Sequence, residues 1–176
     1  MVPHLRLAAA VFALASLASC ASTKQEADAM RARVGGLVAQ LRSSATAVTG
    51  VARAYDYRDG VQIQVAVDNL IPGRYRVAIH ENGNCRSPNL FSAGPAWAPA
   101  ELGKAPADLL PPMYTNSEGN QNGYVAYVPG LHTDRPPSLR GKSIVIHWGT
   151  SVNEAFPGQP NNRVACGVLE WTDPIF

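Results

Sequence analysis

The clearest pattern in the chain is an alternation of apolar residues with polar or small ones. Between positions 61 and 68, every second residue is valine or isoleucine. Because successive side chains of a strand point to opposite faces, this pattern predicts a half-buried β-strand. The Asp59-Gly60 pair that precedes it is typical of a hairpin turn, so a partner strand is predicted over residues 51–57.

Further apolar runs predict additional strands at residues 73–80, 124–128, 143–147 and 163–170. The chain contains 14 prolines and 15 glycines, and this frequency of turn residues favours β structure over helices. Two of the connecting stretches, residues 86–123 and 148–162, are long for a small domain, and such loops are usually functional or held by cross-links. We therefore predict one all-β domain, an antiparallel Greek-key barrel or sandwich.

The predicted strand over residues 73–80 ends in a single histidine. Its apolar residues Tyr75, Val77 and Ile79 share one face, which we assign to the core. His80 shares the other face with Ala78 and is therefore expected to point away from the core.

The segment before the first clear strand is ambiguous. Apolar residues recur at helical spacing over residues 27–41, among charged ones, which indicates an amphipathic helix. Gly35-Gly36 weakens that pattern, and residues 37–41 fit the first strand of the fold as an alternative. We favour a helical tether that runs to about Arg42, with the tether segment over residues 20–45 and the barrel domain over residues 46–176.

Residues 1–19 have the pattern of a signal peptide. His4 and Arg6 form a weakly basic start, and the apolar run over residues 7–17 is too short for a permanent membrane span. The following Leu17-Ala18-Ser19-Cys20 resembles the bacterial lipobox, in which the cysteine carries the lipid. The alternative is an ordinary secretory peptide with an incidental cysteine at this position.

The resemblance to the lipobox implies a partner and a location. A lipid on Cys20 would anchor the mature chain to a membrane of the bacterial cell envelope. Alanine rather than aspartate follows as Ala21, which by resemblance to lipoprotein sorting signals indicates the outer membrane, with the domain facing the periplasm. Cys85 and Cys166 then remain as an even pair in an oxidising compartment. The net charge of only +2 gives no indication of a nucleic-acid partner.

Five stretches of the domain, in order, resemble landmarks of the Cu/Zn superoxide dismutase family, and together they cover about residues 46–169. They are the strand and turn at 73–85, the S-A-G-P-A-W-A-P run at 92–99, A-D-L-L-P at 107–111, G-K-S-I-V-I-H at 141–147 and R-V-A-C-G-V at 163–168. The resemblance implies an eight-stranded antiparallel Greek-key barrel. It also implies a disulfide between Cys85 and Cys166.

The family's copper site carries over only in part. In the family, four histidines hold copper and one of them bridges to zinc. His80 and His147 stand at two of these positions, whereas Ala78 replaces a third and Ala96 replaces the bridging histidine. Arg163 occupies the position of the arginine that guides superoxide towards copper in the family.

The family's zinc site carries over less well. Zinc takes three histidines and an aspartate in the family, and it organises the first long loop. Asp108 matches the aspartate, but Lys104 and Ala105 stand where histidines are expected. The resemblance therefore implies that zinc is not a cofactor here, and copper is the one cofactor left open.

Three functions follow from this incomplete site. The first is a dismutase-like lipoprotein without dismutase activity, which acts as a binding or structural module of the envelope. The second is a protein that captures copper(I) through His80 and His147. The third is a weak superoxide dismutase with a copper-only site. If no metal binds, we expect the two histidines to form hydrogen bonds with neighbouring backbone on the barrel surface.

Overall fold

The computed structural model describes residues 36–118, 120–149 and 161–172. The predicted signal peptide, Cys20 with its predicted lipid, the first part of the predicted tether and most of the second long loop lie outside these residues. Within the described part of the chain, the helices are three short 3-10 turns, and none has the length or apolar character needed to cross a membrane.

Nine strands follow one another along the chain: β1 Gly36–Arg42, β2 Thr49–Tyr57, β3 Gly60–Asp68, β4 Arg74–His80, β5 Pro112–Tyr114, β6 Gln121–Pro129, β7 Ser143–Trp148, β8 Arg163–Val168 and β9 Glu170–Thr172. They form one antiparallel sheet in the order β5-β4-β7-β8-β1-β2-β3-β6, with β9 also paired to β1. The connection from β3 to β4 passes from one end of this order towards the other, as a Greek-key fold requires.

The two ends of the sheet are held together by side chains. The Tyr124 hydroxyl at the start of β6 donates to the Pro111 carbonyl at 2.9 Å, and the Gln121 amide donates to the Tyr114 carbonyl. These bonds close most of the gap between β5 and β6, so the sheet forms a nearly closed barrel. The predicted all-β Greek-key barrel is confirmed.

The predicted helical tether is wrong over residues 36–42. These residues form β1, which pairs with β2 from Leu37 opposite Ala54 to Arg42 opposite Thr49. Leu37, Ala39 and Leu41 are buried at a period of two, and burial of this row against the core outweighs the helical spacing of the wider segment. The barrel therefore includes Gly36–Arg42, which the predicted boundary at residue 46 had excluded.

Two short strands were not predicted. β5 lies inside the first long loop and pairs with the first residues of β4, where its initial Pro112 is tolerated because β5 is an edge strand. The predicted strand at residues 163–170 is divided, because β8 ends at Val168 and β9 begins at Glu170. Between them, the Leu169 amide donates to the Lys142 carbonyl, which turns the chain from β8 towards its pairing with β1.

The barrel interior is filled by the inward faces of the strands. Its largest fully buried side chains include Leu37, Ile63, Tyr75, Ile79, Met113, Leu131, Leu139, Ile144, Ile146 and Leu169. A second, smaller apolar cluster lies on the opposite face of β7 and β8, where Val145 and Cys166 pack against Leu90 and Ala93. The outer face of this part of the barrel is therefore also covered.

The cover is the chain segment over residues 85–99, which we call the covering segment. A disulfide joins Cys85 to Cys166 of β8 with their Cα atoms 5.7 Å apart, as the resemblance predicted. The cross-link closes a loop of 81 residues, and the chain-entropy model gives it a stabilisation of about 4 kcal/mol. The disulfide thus fixes one end of the covering segment to the sheet.

The other end of the covering segment continues the sheet beside β4. β5 pairs only with residues 74–76, which leaves the second half of this edge of β4 without a strand. The Trp97 amide donates to the Ile79 carbonyl at 2.7 Å, and the Asn82 amide donates to the Ala93 carbonyl at 3.0 Å. The covering segment thus satisfies backbone groups that would otherwise form an open sheet edge.

Candidate metal centre

His80 and His147 lie together beneath the covering segment. In the register of β4 and β7, His80 is opposite Ser143, Ala78 is opposite Val145, and Arg76 is opposite His147. All these side chains project outward from the barrel, as alternation predicted for His80. Yet the two histidines are only 1% and 4% exposed, so they do not lie on the open barrel surface that we expected.

The two imidazoles contact each other. Their Nε2 atoms are 2.9 Å apart, and the rings are nearly parallel, with an interplanar angle of 19°. In the register of β4 and β7, the pair Ala78 and Val145 lies between the rows of His80 and His147, and Ala78 contributes only a methyl group to this face. The small residue at the third copper position is therefore part of the reason why the remaining two histidines can touch.

Each ring is oriented by its other nitrogen. Nδ1 of His80 donates to the Gly94 carbonyl of the covering segment at 2.8 Å. Nδ1 of His147 lies 3.2 Å from Oδ1 of Asn162, which precedes β8. The backbone partner of His80 agrees with the expected hydrogen bond to neighbouring backbone, but the role of Asn162 was not predicted. No motif in the sequence marked it.

Two arrangements of protons are compatible with these contacts. In the first, His147 donates from Nε2 to His80, and its Nδ1 accepts from an Asn162 amide rotated by 180°, so that every ring nitrogen is paired. In the second, both Nδ1 atoms donate, and the two Nε2 lone pairs face each other. In the first arrangement all four ring nitrogens are hydrogen-bonded, so no lone pair is left for a cation. In the second, the two Nε2 lone pairs are available to bind a cation.

Burial keeps both rings neutral at neutral pH. Desolvation lowers the pKa of His80 to about 4, against the opposing effect of the Gly94 hydrogen bond. Desolvation also lowers the pKa of His147 to about 3, although the bond to Asn162 favours the charged form. The positive charges of Arg76 and Arg163 lower both pKa values further.

Ala96 lies directly beside His80. The two residues form an isolated antiparallel bridge, because the covering segment runs along the free edge of β4. This is the residue that replaces the bridging histidine in the resemblance. The structure thus places the missing ligand position next to a retained one, which supports the alignment of Ala96 with the bridging position.

Asp108 does not join the histidine pair. It ends the 3-10 turn Pro106–Asp108 and is exposed, as are Lys104 and Ala105 before it. Across residues 36–118, 120–149 and 161–172, no group of three or more histidine, cysteine, aspartate or glutamate side chains could hold a metal ion. Asp108, His80 and His147 therefore do not form a common donor set.

Arg163 is bound to the covering segment. Its two terminal nitrogens donate to the carbonyls of Leu90 and Gly94 at 2.7 and 2.8 Å, and its guanidinium lies 5.0 Å from the Phe91 ring centre. The Gly94 carbonyl thus accepts from both Arg163 and His80. The arginine at the family's anion-guiding position contacts backbone here, and in this chain it helps to hold the cover in place.

Comparison with known proteins identifies the family. The family model described as copper/zinc superoxide dismutase (SODC) matches residues 48–169. The chain belongs to the copper/zinc superoxide dismutase family. A comparison with curated proteins finds no match.

In a comparison with solved structures, 191 chains match. One is the crystal structure of the clock protein EA4, with a TM-score of 0.61 and 19% sequence identity. The match covers 77% of this chain and 93% of that protein. At this identity the likeness concerns the fold alone.

The donor set of this superoxide dismutase homologue does not fit the family's metals. After residue 20 the chain has three histidines, and the third, His132, lies 4.0 Å from the Asp56 carboxylate rather than in the pair. A zinc site with three histidines and an aspartate cannot be assembled from these residues. Two of the four copper imidazoles remain, and they contact each other.

The depressed histidine pKa values predict a specific dependence of stability on pH. Below the ordinary histidine pKa of about 6.5, the unfolded chain takes up protons that the folded pair refuses. The free energy of unfolding should therefore fall as the pH drops from 6.5 towards 4, by up to about 1.4 kcal/mol per pH unit for each histidine. Urea denaturation across this pH range measures the slope.

The same measurement on a His80→Gln, His147→Gln double variant separates the histidines from the carboxylates, which also titrate in acid. The double variant should show a shallower slope than the parent. His132→Gln removes a histidine outside the pair and is the matched control for the His-to-Gln substitution itself. Equal slopes in the parent and the double variant would show that the buried pair does not resist protonation.

Proposed function

We propose that this member of the superoxide dismutase family is a module of the bacterial cell envelope that does not dismute superoxide and serves in binding or in structure. The observation that carries the proposal is the contact between the Nε2 atoms of His80 and His147 at 2.9 Å. Each imidazole directs its remaining donor or acceptor to the other imidazole, and neither is directed to an open metal position.

The chemistry of dismutation supports this conclusion. The reaction needs a metal that changes between two oxidation states and offers an open position to superoxide. A cupric ion prefers four tetragonal ligands, so a site with two imidazoles disfavours the oxidised state. The positions of Ala78 and Ala96 beside the pair account for the two missing ligands.

The proposed location rests on the leader and on cysteine usage. The lipobox-like residues 17–20 support a lipid on Cys20 and attachment to the outer membrane, with the domain in the periplasm. The disulfide between Cys85 and Cys166 fits an oxidising compartment, where such bonds persist. With these two cysteines paired, Cys20 is the remaining thiol of the chain, free to carry a lipid.

A second candidate function is capture of copper(I). It is favoured by the arrangement in which both Nδ1 atoms donate, to Gly94 and Asn162, because the two Nε2 lone pairs then point at one place. A cuprous ion accepts soft or imidazole ligands at low coordination number. His80 and His147 would each supply one neutral imidazole nitrogen to such an ion.

Copper loading tests the proposed function against the second candidate. We expect the purified protein, loaded with copper(I) and then desalted, to retain no more copper than a His80→Ala, His147→Ala double variant. We also expect superoxide consumption no faster than in buffer. Retention of one copper per chain that is lost in the double variant would instead establish copper capture, and consumption of superoxide by the loaded parent would overturn the proposal. Elemental analysis and a stopped-flow superoxide assay provide the two readouts.

Restoring the missing imidazoles tests whether their loss explains the absent activity. An Ala78→His, Ala96→His double variant should bind copper(II) at least about tenfold more tightly than the parent, because four imidazoles would then surround the site. Electron paramagnetic resonance should report nitrogen ligands. Ala78→Leu, Ala96→Leu adds bulk without donors and is the control for overpacking. A folded histidine variant with no gain in copper(II) affinity would contradict this account of the site.

The lipid anchor has its own test. In a bacterial host supplied with a radiolabelled fatty acid, the full chain should incorporate label and fractionate with the outer membrane. Cys20→Ser should abolish the label, whereas Ser19→Ala keeps a small residue before the cysteine and should retain it. If both variants still fractionated with the membrane and neither carried label, the result would argue against anchoring through Cys20.

A further inference from the structure

A pocket of about 370 Å³ opens beside the start of β4, apart from the histidine pair. One wall is formed by Arg74 and Arg76. The rest of the lining includes Asp108 and Pro111 from the segment before β5, and Pro112, the first residue of β5. This volume lies at the lower end of the range for small-molecule sites.

Both arginines face the same way because they are two positions apart on one strand. The guanidinium of Arg74 rests 5.7 Å from the centre of the Tyr114 ring, which fixes its position over β5. Arg76 is half-buried, and its Nε has neither solvent contact nor a hydrogen-bond partner. The strand and its neighbour thus hold two positive groups at the mouth of one cavity.

No carboxylate of the described residues neutralises either arginine. Within the described residues, no carboxylate lies at ion-pair distance from Arg74 or Arg76, although Asp108 lines the same pocket. A partly buried guanidinium without an anionic partner is costly, and burial correspondingly lowers the pKa of Arg76. The pocket lining therefore contains two positive charges and one negative charge. Neither positive charge forms an ion pair with a described residue.

We propose that this pocket binds a small oxyanion, a phosphate or carboxylate group, between the guanidinium groups of Arg74 and Arg76. Planar guanidinium groups match the geometry of such anions and form charge-assisted hydrogen bonds with them. Pro111 and Pro112 provide an apolar wall for a small organic body attached to the anion. The negative charge of Asp108 repels the anion and therefore limits the affinity of the pocket for it. The proposal uses none of the metal positions of the histidine pair.

Titration of the isotope-labelled full chain with inorganic phosphate tests the proposal, with acetate as a second probe. The Nε–Hε signals of Arg74 and Arg76 should shift in a saturable manner. Arg76→Gln should weaken binding about tenfold, the loss of a hydrogen bond to a charged group, and Arg76→Lys should weaken it less. Arg74→Gln should also weaken binding.

Asp108→Asn should change the anion affinity in the opposite direction from the arginine variants. Asp108 is exposed, so this substitution is not expected to prevent folding. Removal of the opposing charge should strengthen anion binding by about threefold. Arg53→Gln removes the same charge from an exposed position on β2 and is the matched control, which should leave the affinity of the parent.

The outcomes decide between a site and general charge effects. Saturation with phosphate alone assigns a phosphate-bearing solute, and saturation with acetate alone assigns a carboxylate, provided that either depends on Arg76. Shifts that rise linearly with both anions, or affinities that change equally in Arg53→Gln and Arg76→Gln, would overturn the proposal. So would an Asp108→Asn variant that binds more weakly than the parent.

Discussion

The structure of the candidate metal centre depends on one constraint, the attachment of the covering segment to the outer face of β4, β7 and β8. The disulfide from Cys85 to Cys166 holds one end, backbone bonds to β4 hold the other, and Arg163 bonds to the middle. A zinc ion organises this region in the family to which the chain belongs. Here a disulfide and hydrogen bonds to the sheet hold the segment in place.

Burial by that cover determines the chemistry of the two histidines. Beneath the segment, an imidazole loses its hydration, so the neutral form is favoured and each ring nitrogen needs a protein partner. The Gly94 carbonyl supplies one partner to His80 and at the same time accepts from Arg163. The same contact that holds the cover closed also orients the ring, so the cover and the histidine pair are coupled.

The barrel could be predicted because alternation along the strands, the turn at Asp59-Gly60 and the family landmarks agree. β1 was assigned to a helix because its apolar residues fit both periods, and only pairing with β2 decides between them. The disulfide and the outward direction of His80 followed from resemblance and alternation. The contact between the histidines, the role of Asn162 and the arginine pocket could not be predicted, because they depend on how the first long loop and the residues just before β8 lie against the sheet.

The hydrogen bond between the two imidazoles explains why His80 and His147 remain without the rest of the metal site. In the arrangement in which His147 donates to His80, loss of either histidine alone would leave the Nε2 of the other buried without a partner, which costs more than the loss of one hydrogen bond. A single substitution of either histidine is therefore destabilising on structural grounds alone. By contrast, the positions of Ala96, Lys104 and Ala105 are partly or fully exposed, so histidines there could be lost without leaving a buried polar group unpaired. Burial thus separates the retained pair from these three positions, although Ala78, which replaces a further histidine, is itself buried. Retention of the pair does not by itself require a metal.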